Sequence, residues 1–459
     1  MLSKNKGDSL DASHLPWSFW QRLIMFSTAL FISLLMSGVT LGHIALREIL
    51  LQRENFLCRS QADFHLGHPC YENEVILSGV FFISCIFTKF CALPVGLAID
   101  VWGPRLTTML GCVIFTTGCI LLAFSDFSLG VLHYAGYIVL AVGGMCVYFP
   151  SLVMGRVLPR MEGLTTAALT VSFDISAIVF YVMAWAVNPT RSISRIMGYY
   201  AIVPILALVL VTSFYPDGQL PANSKRGSKK VERKFAPFLS RTDSTLGVYT
   251  NTNYNHTQQR LSFLSFCGRL LTSWEFWLLA IYTGAMTSRF VHFLSTLHLH
   301  LARLSLPWRE QRALLTGYQT FLPLGGLISM TAAGQLLLSF SLAANTATAW
   351  LLINLCWFPL IGGRDSSYQA ASYLLAAIIR PYYYAITNHL AERLFSPADL
   401  GRGYGLLMVV AGILNIGVVV DVYDGFPIIS WWLVQAWYLV RLLSLASIAL
   451  PIYLYYQKL

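Results

Sequence analysis

The chain has 459 residues, of which 56% are hydrophobic and only 11% are charged. Soluble proteins carry about 25% charged residues, so this composition excludes an ordinary soluble globular protein. The net charge of +10 does not indicate nucleic-acid binding, because nine of the 31 Lys and Arg residues fall in one polar stretch, residues 216–273, with no aromatic-interleaved basic fold around them. The composition predicts an integral membrane protein.

The first twenty residues do not predict a cleaved targeting segment. They contain no short apolar core followed by a small-residue cleavage site. Asp8 and Asp11 stand among the lysines, unlike the pattern of an Arg- and Ser-rich transit peptide. We therefore expect the first apolar run to act as the insertion signal.

Twelve apolar runs are long enough to cross a hydrocarbon core of about 30 Å as helices. The polar stretch 216–273 divides them six and six, which predicts an all-α membrane protein with lobes at 1–215 and 274–459 joined by a linker loop. The basic linker favours cytoplasmic N- and C-termini, in the plasma membrane or an endomembrane. The predicted spans are 23–46, 75–98, 106–124, 131–154, 163–187, 196–215, 274–298, 313–338, 342–362, 366–390, 403–422 and 430–456.

The first predicted outer loop, residues 47–74, contains Cys58 and Cys70 with His65 and His68 between them. This spacing matches no common zinc framework, although a zinc site is the alternative. An oxidising outer face favours a Cys58–Cys70 disulfide. We predict no bound metal and no cofactor.

The loop "GLAIDVWGPR" follows the second span and contains Gly96, Asp100, Gly103 and Arg105. Glycines permit a tight turn and close helix packing. Asp100 suits the positive N-terminal end of a neighbouring helix, and Arg105 suits a carboxylate partner. The four residues are predicted to form a gating latch between the lobes; the alternative is an ordinary connector.

The same loop resembles the signature loop of the major facilitator superfamily. The longer "LPVGLAIDVWGPR" resembles the system-L-type, sodium-independent large neutral amino acid transporter family, and so do "LLMSGVTLG" (34–42), "AVGGMCVYFPSL" (141–152) and "RPYYYAITNHLAERLFSPADLGRGYGL" (380–406). The resemblance implies the twelve-helix major facilitator fold and facilitated diffusion of neutral amino acids. Three features depart from it: the latch has a single arginine, the counterpart loop "GQLLLSFSLA" has no charges, and Asp174 stands where the family has a small neutral residue.

Arg380 lies in the middle of the tenth predicted span, where a charge is costly unless it faces a partner or a wet cavity. Tyr384 and Asn388 follow at four-residue intervals and share its helix face. A guanidinium fork suits a carboxylate, so these three residues are predicted to bind substrate. The alternative is a structural arginine paired with an acid on another helix.

Arg289, Asp174 and Lys89 are further ionisable residues within the predicted spans. Arg289 is a second candidate substrate-binding cation. Asp174 either neutralises Arg289 or Arg380 or carries a coupled proton. Lys89 is expected near the inner end of its span, with its amine reaching the interface.

Small residues interrupt the first span at Ser37, Gly38 and Gly42. Small residues let a ligand approach the backbone, and free backbone amides or carbonyls can then bind the ligand. Ser37, Gly38 and Gly42 are therefore predicted to bind substrate. Tight helix packing is the alternative.

These features together predict a secondary transporter rather than an enzyme. The expected substrate is a small carboxylate-bearing solute, a neutral amino acid by the resemblance, moved by alternating access. The alternatives are a proton-coupled organic anion carrier that uses Asp174 and a polytopic membrane enzyme. The scattered carboxylates and histidines form no catalytic pattern, which disfavours the enzyme. The expected partners are the solute and the lipid bilayer, with no nucleic acid.

Overall fold

The computed structural model describes residues 16–46, 71–125, 131–158, 161–186, 193–217, 256–304, 306–362, 365–395, 400–423 and 431–457. Within these ranges all regular secondary structure is helical. Cys58 and Cys70 lie outside the described residues, so their disulfide stays a prediction.

The N-terminal half begins with a helix capped by Ser18, whose hydroxyl accepts a hydrogen bond from the backbone of Gln21 while the Gln21 side chain accepts one in return. Short 3-10 segments cover Val39–Gly42 and Gly155–Val157. The helices of this half are α1 Phe19–Met36, α2 Tyr71–Phe124, α3 Val131–Met154, α4 Glu162–Ile175, α5 Ile178–Ala186, α6 Ile193–Tyr200 and α7 Ile202–Phe214.

The C-terminal half begins with a helix in the predicted linker and continues through long, closely spaced helices. A 3-10 turn, Ile416–Val418, separates two of them. The helices are α8 His256–Thr272, α9 Trp274–Arg303, α10 Trp308–Ser339, α11 Leu342–Gly362, α12 Ser366–Leu394, α13 Leu400–Asn415, α14 Val419–Val422, α15 Trp431–Ala446 and α16 Ala449–Tyr456.

Helix α2 contains both the second and the third predicted spans. Its two arms meet at Gly103, whose φ of 79° and ψ of 173° are readily adopted only by glycine. Pro104 follows and begins the second arm, where a missing N–H costs little. The chain therefore reverses at the predicted turn of the "GLAIDVWGPR" loop.

Seven stretches of the described chain are long and apolar enough to cross a bilayer. The predicted spans 274–298, 313–338 and 366–390 lie in α9, α10 and α12, which are long helices that carry more polar side chains. The total of twelve spans therefore stays a prediction. The seven stretches are Phe19–Leu46, Val75–Phe124, Val131–Val157, Leu164–Met183, Ser194–Phe214, Leu400–Val422 and Tyr438–Tyr456.

Each half has its own apolar core. Ile32, Phe115 and Phe180 are fully buried in the N-terminal core, and Tyr282 and Tyr383 in the C-terminal one. We call these halves the N-lobe and the C-lobe.

Three further clusters join the two lobes. We call the end of the bundle with the Arg105–Asp217 ion pair the linker side, and the opposite end the far side. On the linker side, Val95 of α2 packs in one cluster with Met408 of α13. On the far side, Phe81 of α2 packs in another with Leu297 of α9. The third joins α2 to α9 and α14. The lobes thus touch on both sides of the bundle's middle.

Candidate functional site

A buried ion pair joins the two lobes in the middle of the bundle. Arg380 of α12 donates through Nη1 to Oδ1 of Asp174 in α4. The two residues are only 4% and 2% exposed. The sequence predicted Arg289 or Arg380 as a partner of Asp174, and in the structure the partner is Arg380.

Arg380 retains unused hydrogen-bonding capacity. Its guanidinium carbon lies 5.3 Å from the ring centre of Tyr384 and 5.9 Å from that of Phe173. Its Nε is buried and finds no acceptor in the described part of the chain. A buried donor without an acceptor costs free energy, so this atom is available to an incoming anionic group.

Asn388 continues the same face of α12 toward the linker side. Its Nδ2 donates to Thr170 Oγ1 of α4 at 3.1 Å, and its Oδ1 accepts from the Tyr404 hydroxyl of α13 at 2.8 Å. Arg380 and Asn388 therefore both contact the N-lobe, and Tyr384 lies between them. The predicted stripe of three residues does face the junction between the lobes.

Lys89 of α2 lies at the same centre, and the expectation that its amine reaches the membrane interface is wrong. The residue is 8% exposed, with Nζ 5.5 Å from the Tyr384 ring centre and 3.9 Å from Sδ of Met408. The apolar run predicted a span ending at residue 98, but the helix continues to the break at Gly103. Lys89 is therefore farther from the helix end than the run suggests, and the polar stripe of α12 faces it.

The interruption of the first span packs closely against α4. Gly38 donates its backbone N–H to Ser176 Oγ at 2.8 Å, and a Cβ there would collide with the carbonyl of Phe173. A Cβ at Gly42 would collide with the carbonyl of Ala177. These contacts agree with the alternative that the glycines serve tight helix packing. The Gly38 backbone N–H already has an acceptor, Ser176 Oγ.

Ser37 is likewise engaged within the N-lobe. Its hydroxyl donates to the Ser33 carbonyl at 2.5 Å, and Ser33 Oγ lies 2.7 Å from Ser172 Oγ of α4. Gly38 and Gly42 thus allow the end of the first span to approach residues 173–180, next to Asp174, while Ser37 bonds within its own helix. Direct contact of Ser37, Gly38 or Gly42 with a solute stays a prediction.

Gly96 and Asp100 of the predicted latch lie on the linker side, against the start of α13. Asp100 Oδ2 is 3.4 Å from Nε of Arg402, and Oδ1 occupies the space that a side chain on Gly401 would need. A Cβ on Gly96 would collide with the carbonyl of Gly401. The carboxylate therefore lies at the positive end of a C-lobe helix, while the glycines let the two backbones meet.

Arg105 contacts a carboxylate, but within its own lobe. It forms an ion pair with Asp217 and donates through Nη2 to the Thr212 carbonyl at 2.6 Å. Arg105 thus holds the start of the second arm of α2 to the end of α7, and Asp100 makes the contact between lobes.

Arg289 lies in a second polar cluster, inside the C-lobe. Its Nε and Nη2 donate to Ser444 Oγ of α15 at 3.2 and 2.5 Å. Close by, Asp421 pairs with Arg441 at 2.6 Å and with His292 at 2.7 Å. The structure does not bring Arg289 to the Arg380 site. In the described ranges, no three His, Cys, Asp or Glu side chains are grouped to hold a metal.

Comparison with known proteins supports a transporter fold. The chain matches no protein-family model. It is 25% identical to Protein FMP42 of Saccharomyces cerevisiae over 434 residues, covering 83% of this chain and 84% of that protein. It is 28% identical to the mouse Large neutral amino acids transporter small subunit 3 over 182 residues, covering 37% of this chain and 32% of that relative.

A solved structure of similar architecture is that of the human organic anion transporter MFSD10 (TETRAN). The TM-score is 0.57 at 14% sequence identity, and the match covers 94% of this chain and 99% of that one. The two proteins therefore share a fold. The chain is an integral, multi-pass membrane protein, all-helical within its described ranges, and it shares its fold with this transporter.

Proposed function

We propose that this protein is a secondary transporter that moves a small carboxylate-bearing solute by alternating access, with the solute bound between the lobes at Arg380. The observation that carries the proposal is the buried Arg380–Asp174 pair, which links the lobes while Arg380 Nε has no acceptor among the described residues. A guanidinium fork is suited to bidentate binding of a carboxylate.

The Arg380–Asp174 pair explains how a bound solute would make the change between open states easier. Opening either side of the bundle draws the lobes apart at their junction and stretches this pair. Separating a buried pair leaves two charges without partners, which costs several kcal/mol. A solute carboxylate that binds Arg380 replaces the acid it is leaving, so the loaded carrier opens more readily than the empty one.

The latch governs one of the two gates. Asp100 and Gly96 bring α2 against the start of α13 on the linker side, and this contact breaks when that side opens. The basic linker argues that this side is cytoplasmic. In this proposal the latch holds the state that is open to the far side.

A neutral amino acid carried by facilitated diffusion is one of two candidate solutes. The partial similarity to large neutral amino acids transporters supports it. In the site, the solute carboxylate would bind Arg380 while its ammonium group binds Asp174. An organic anion coupled to a proton is the second candidate, because Asp174 is a buried acid that can take up a proton once it leaves Arg380.

Substitution of Arg380 by Lys tests carboxylate binding, since it keeps the charge and removes the fork. We expect the free acid to bind about 1.5–3 kcal/mol more weakly in competition assays on purified protein. Amino acid amides and esters compete poorly with wild type and change little in the variant. Arg393→Lys, at the exposed end of the same helix, is the matched control. Equal losses for acid and amide would contradict carboxylate binding.

Reconstituted uptake separates the two coupling modes. A facilitated-diffusion carrier moves solute in either direction without sodium or a proton gradient, driven by concentration alone. Concentrative uptake that collapses with a protonophore and disappears in Asp174→Asn would instead establish proton coupling.

A further inference from the structure

Lys89 is a buried cation at the centre with no acidic partner among the described residues. Its Nζ contacts are the Tyr384 ring at 5.5 Å and Met408 Sδ at 3.9 Å. Neither contact neutralises an ammonium group. Gly412 of the C-lobe packs against its Cβ, so the side chain is held at the junction between the lobes.

The same aromatic ring also contacts Arg380. The guanidinium carbon lies 5.3 Å from the Tyr384 ring centre, so two cations from opposite lobes share one ring. Asp174 is the one carboxylate that the described residues bring to this group, and it is paired with Arg380. The described charges at the centre therefore leave an excess of one positive charge.

An excess charge in a low-dielectric interior is costly until a counter-charge arrives. A solute with one carboxylate and no ammonium group neutralises the centre. A zwitterionic amino acid brings charges of both signs that cancel, so Lys89 keeps its excess charge after binding. The net charge of the occupied site thus distinguishes a monocarboxylate from an amino acid that has the same carboxylate.

We propose that the transported solute is a small monocarboxylate with one net negative charge, and that Lys89 selects it over zwitterionic amino acids. This inference rests on the proposed function, that a carboxylate-bearing solute binds at Arg380. The surroundings of the two cations, Phe173, Tyr384 and Met408, are largely apolar, which suits an apolar chain on the solute.

A matched pair of probes tests the proposal on the full chain in proteoliposomes. Leucine and its keto acid, α-ketoisocaproate, have the same carboxylate and the same branched chain, and they differ in the ammonium group. We expect α-ketoisocaproate to compete at least about tenfold better than leucine for uptake of labelled α-ketoisocaproate, the scale of one charge-assisted contact. Leucinamide, which lacks the carboxylate, competes weakly.

Two substitutions at Lys89 locate the origin of the preference. Lys89→Met removes the excess charge and is expected to abolish or reverse the preference for the keto acid over leucine. Lys89→Arg keeps the charge and retains the preference. Monodispersity and thermal unfolding in detergent confirm that each variant is folded. The probe comparison on wild type decides the proposal even where Lys89→Met does not fold.

The outcomes separate this inference from the proposed function. Equal competition by leucine and α-ketoisocaproate in wild type, with leucinamide still weak, overturns the charge selection and leaves carboxylate transport intact. A preference for the keto acid that persists in folded Lys89→Met overturns the role of Lys89. Uptake of labelled leucine without uptake of labelled α-ketoisocaproate also overturns the charge selection and leaves carboxylate transport intact. Uptake of neither labelled probe, or equal competition by all three probes, overturns the proposed function itself.

Discussion

Two arginines in the middle of C-lobe helices, Arg380 and Arg289, have the same side chain and different environments. Arg380 pairs across the junction with Asp174 of the N-lobe, while Arg289 donates to Ser444 of its own lobe. In the proposed alternating-access cycle, a contact between lobes breaks and re-forms, whereas a contact inside one lobe lasts throughout. Under this proposal the first kind of contact controls transport and the second kind stabilises a lobe.

The largest expected effect tests the Arg380–Asp174 pair. Arg380→Gln leaves a buried carboxylate without its partner and is expected to lower the free energy of unfolding by about 3–5 kcal/mol. Adding Asp174→Asn restores thermal stability but not uptake, because the carboxylate site stays lost. Melting in detergent and proteoliposome uptake measure the two effects, with Arg393→Gln as the control. A double variant as unstable as the single one argues against the pair.

A second change separates the lobes at the latch. Gly96→Ala pushes α2 against the Gly401 carbonyl and is expected to disfavour closure of the linker side by about 1–3 kcal/mol. Cys91, which packs against the linker-side cluster, then reacts faster with a thiol reagent in a variant that keeps only this cysteine. Gly317→Ala, where a Cβ meets open space, is the matched control. Unchanged labelling of Cys91 contradicts the close contact.

A third change tests the cluster inside the C-lobe. Ser444→Ala removes the hydroxyl that accepts from Arg289 and is expected to lower stability by about 1 kcal/mol. The ratio of acid to amide competition stays at the wild-type value, because this contact does not cross the junction. A shifted ratio would place Arg289 in the transport machinery and remove the distinction between the two arginines.

The smallest effect concerns the charge of the latch. Asp100→Asn keeps the shape of the side chain and removes its attraction to the start of α13, a contribution of about 0.3–1 kcal/mol. We expect slower uptake and modestly faster labelling of Cys91, with wild-type thermal stability. Uptake and labelling that both equal those of wild type would make the loop a simple connector.

Several features of the site could be predicted from local sequence. Helical periodicity placed Arg380, Tyr384 and Asn388 on one face, and the cost of a charge in the bilayer required that face to avoid lipid. The glycines of "GLAIDVWGPR" predicted a turn and a close helix contact, and Gly103 does adopt a backbone conformation that suits glycine. Each of these predictions depends only on one segment of the chain and on whether lipid or water surrounds it.

The sequence by itself determined the class of protein, since a chain with 11% charged residues and long apolar runs must place its helices in a bilayer. Only the tertiary structure decided which charges meet. Asp174 pairs with Arg380 and not with Arg289, and Lys89 lies at the centre of the bundle. Both outcomes depend on the rotation and length of helices that are far apart in the sequence. Those quantities are set by packing between helices, for which local periodicity carries no signal.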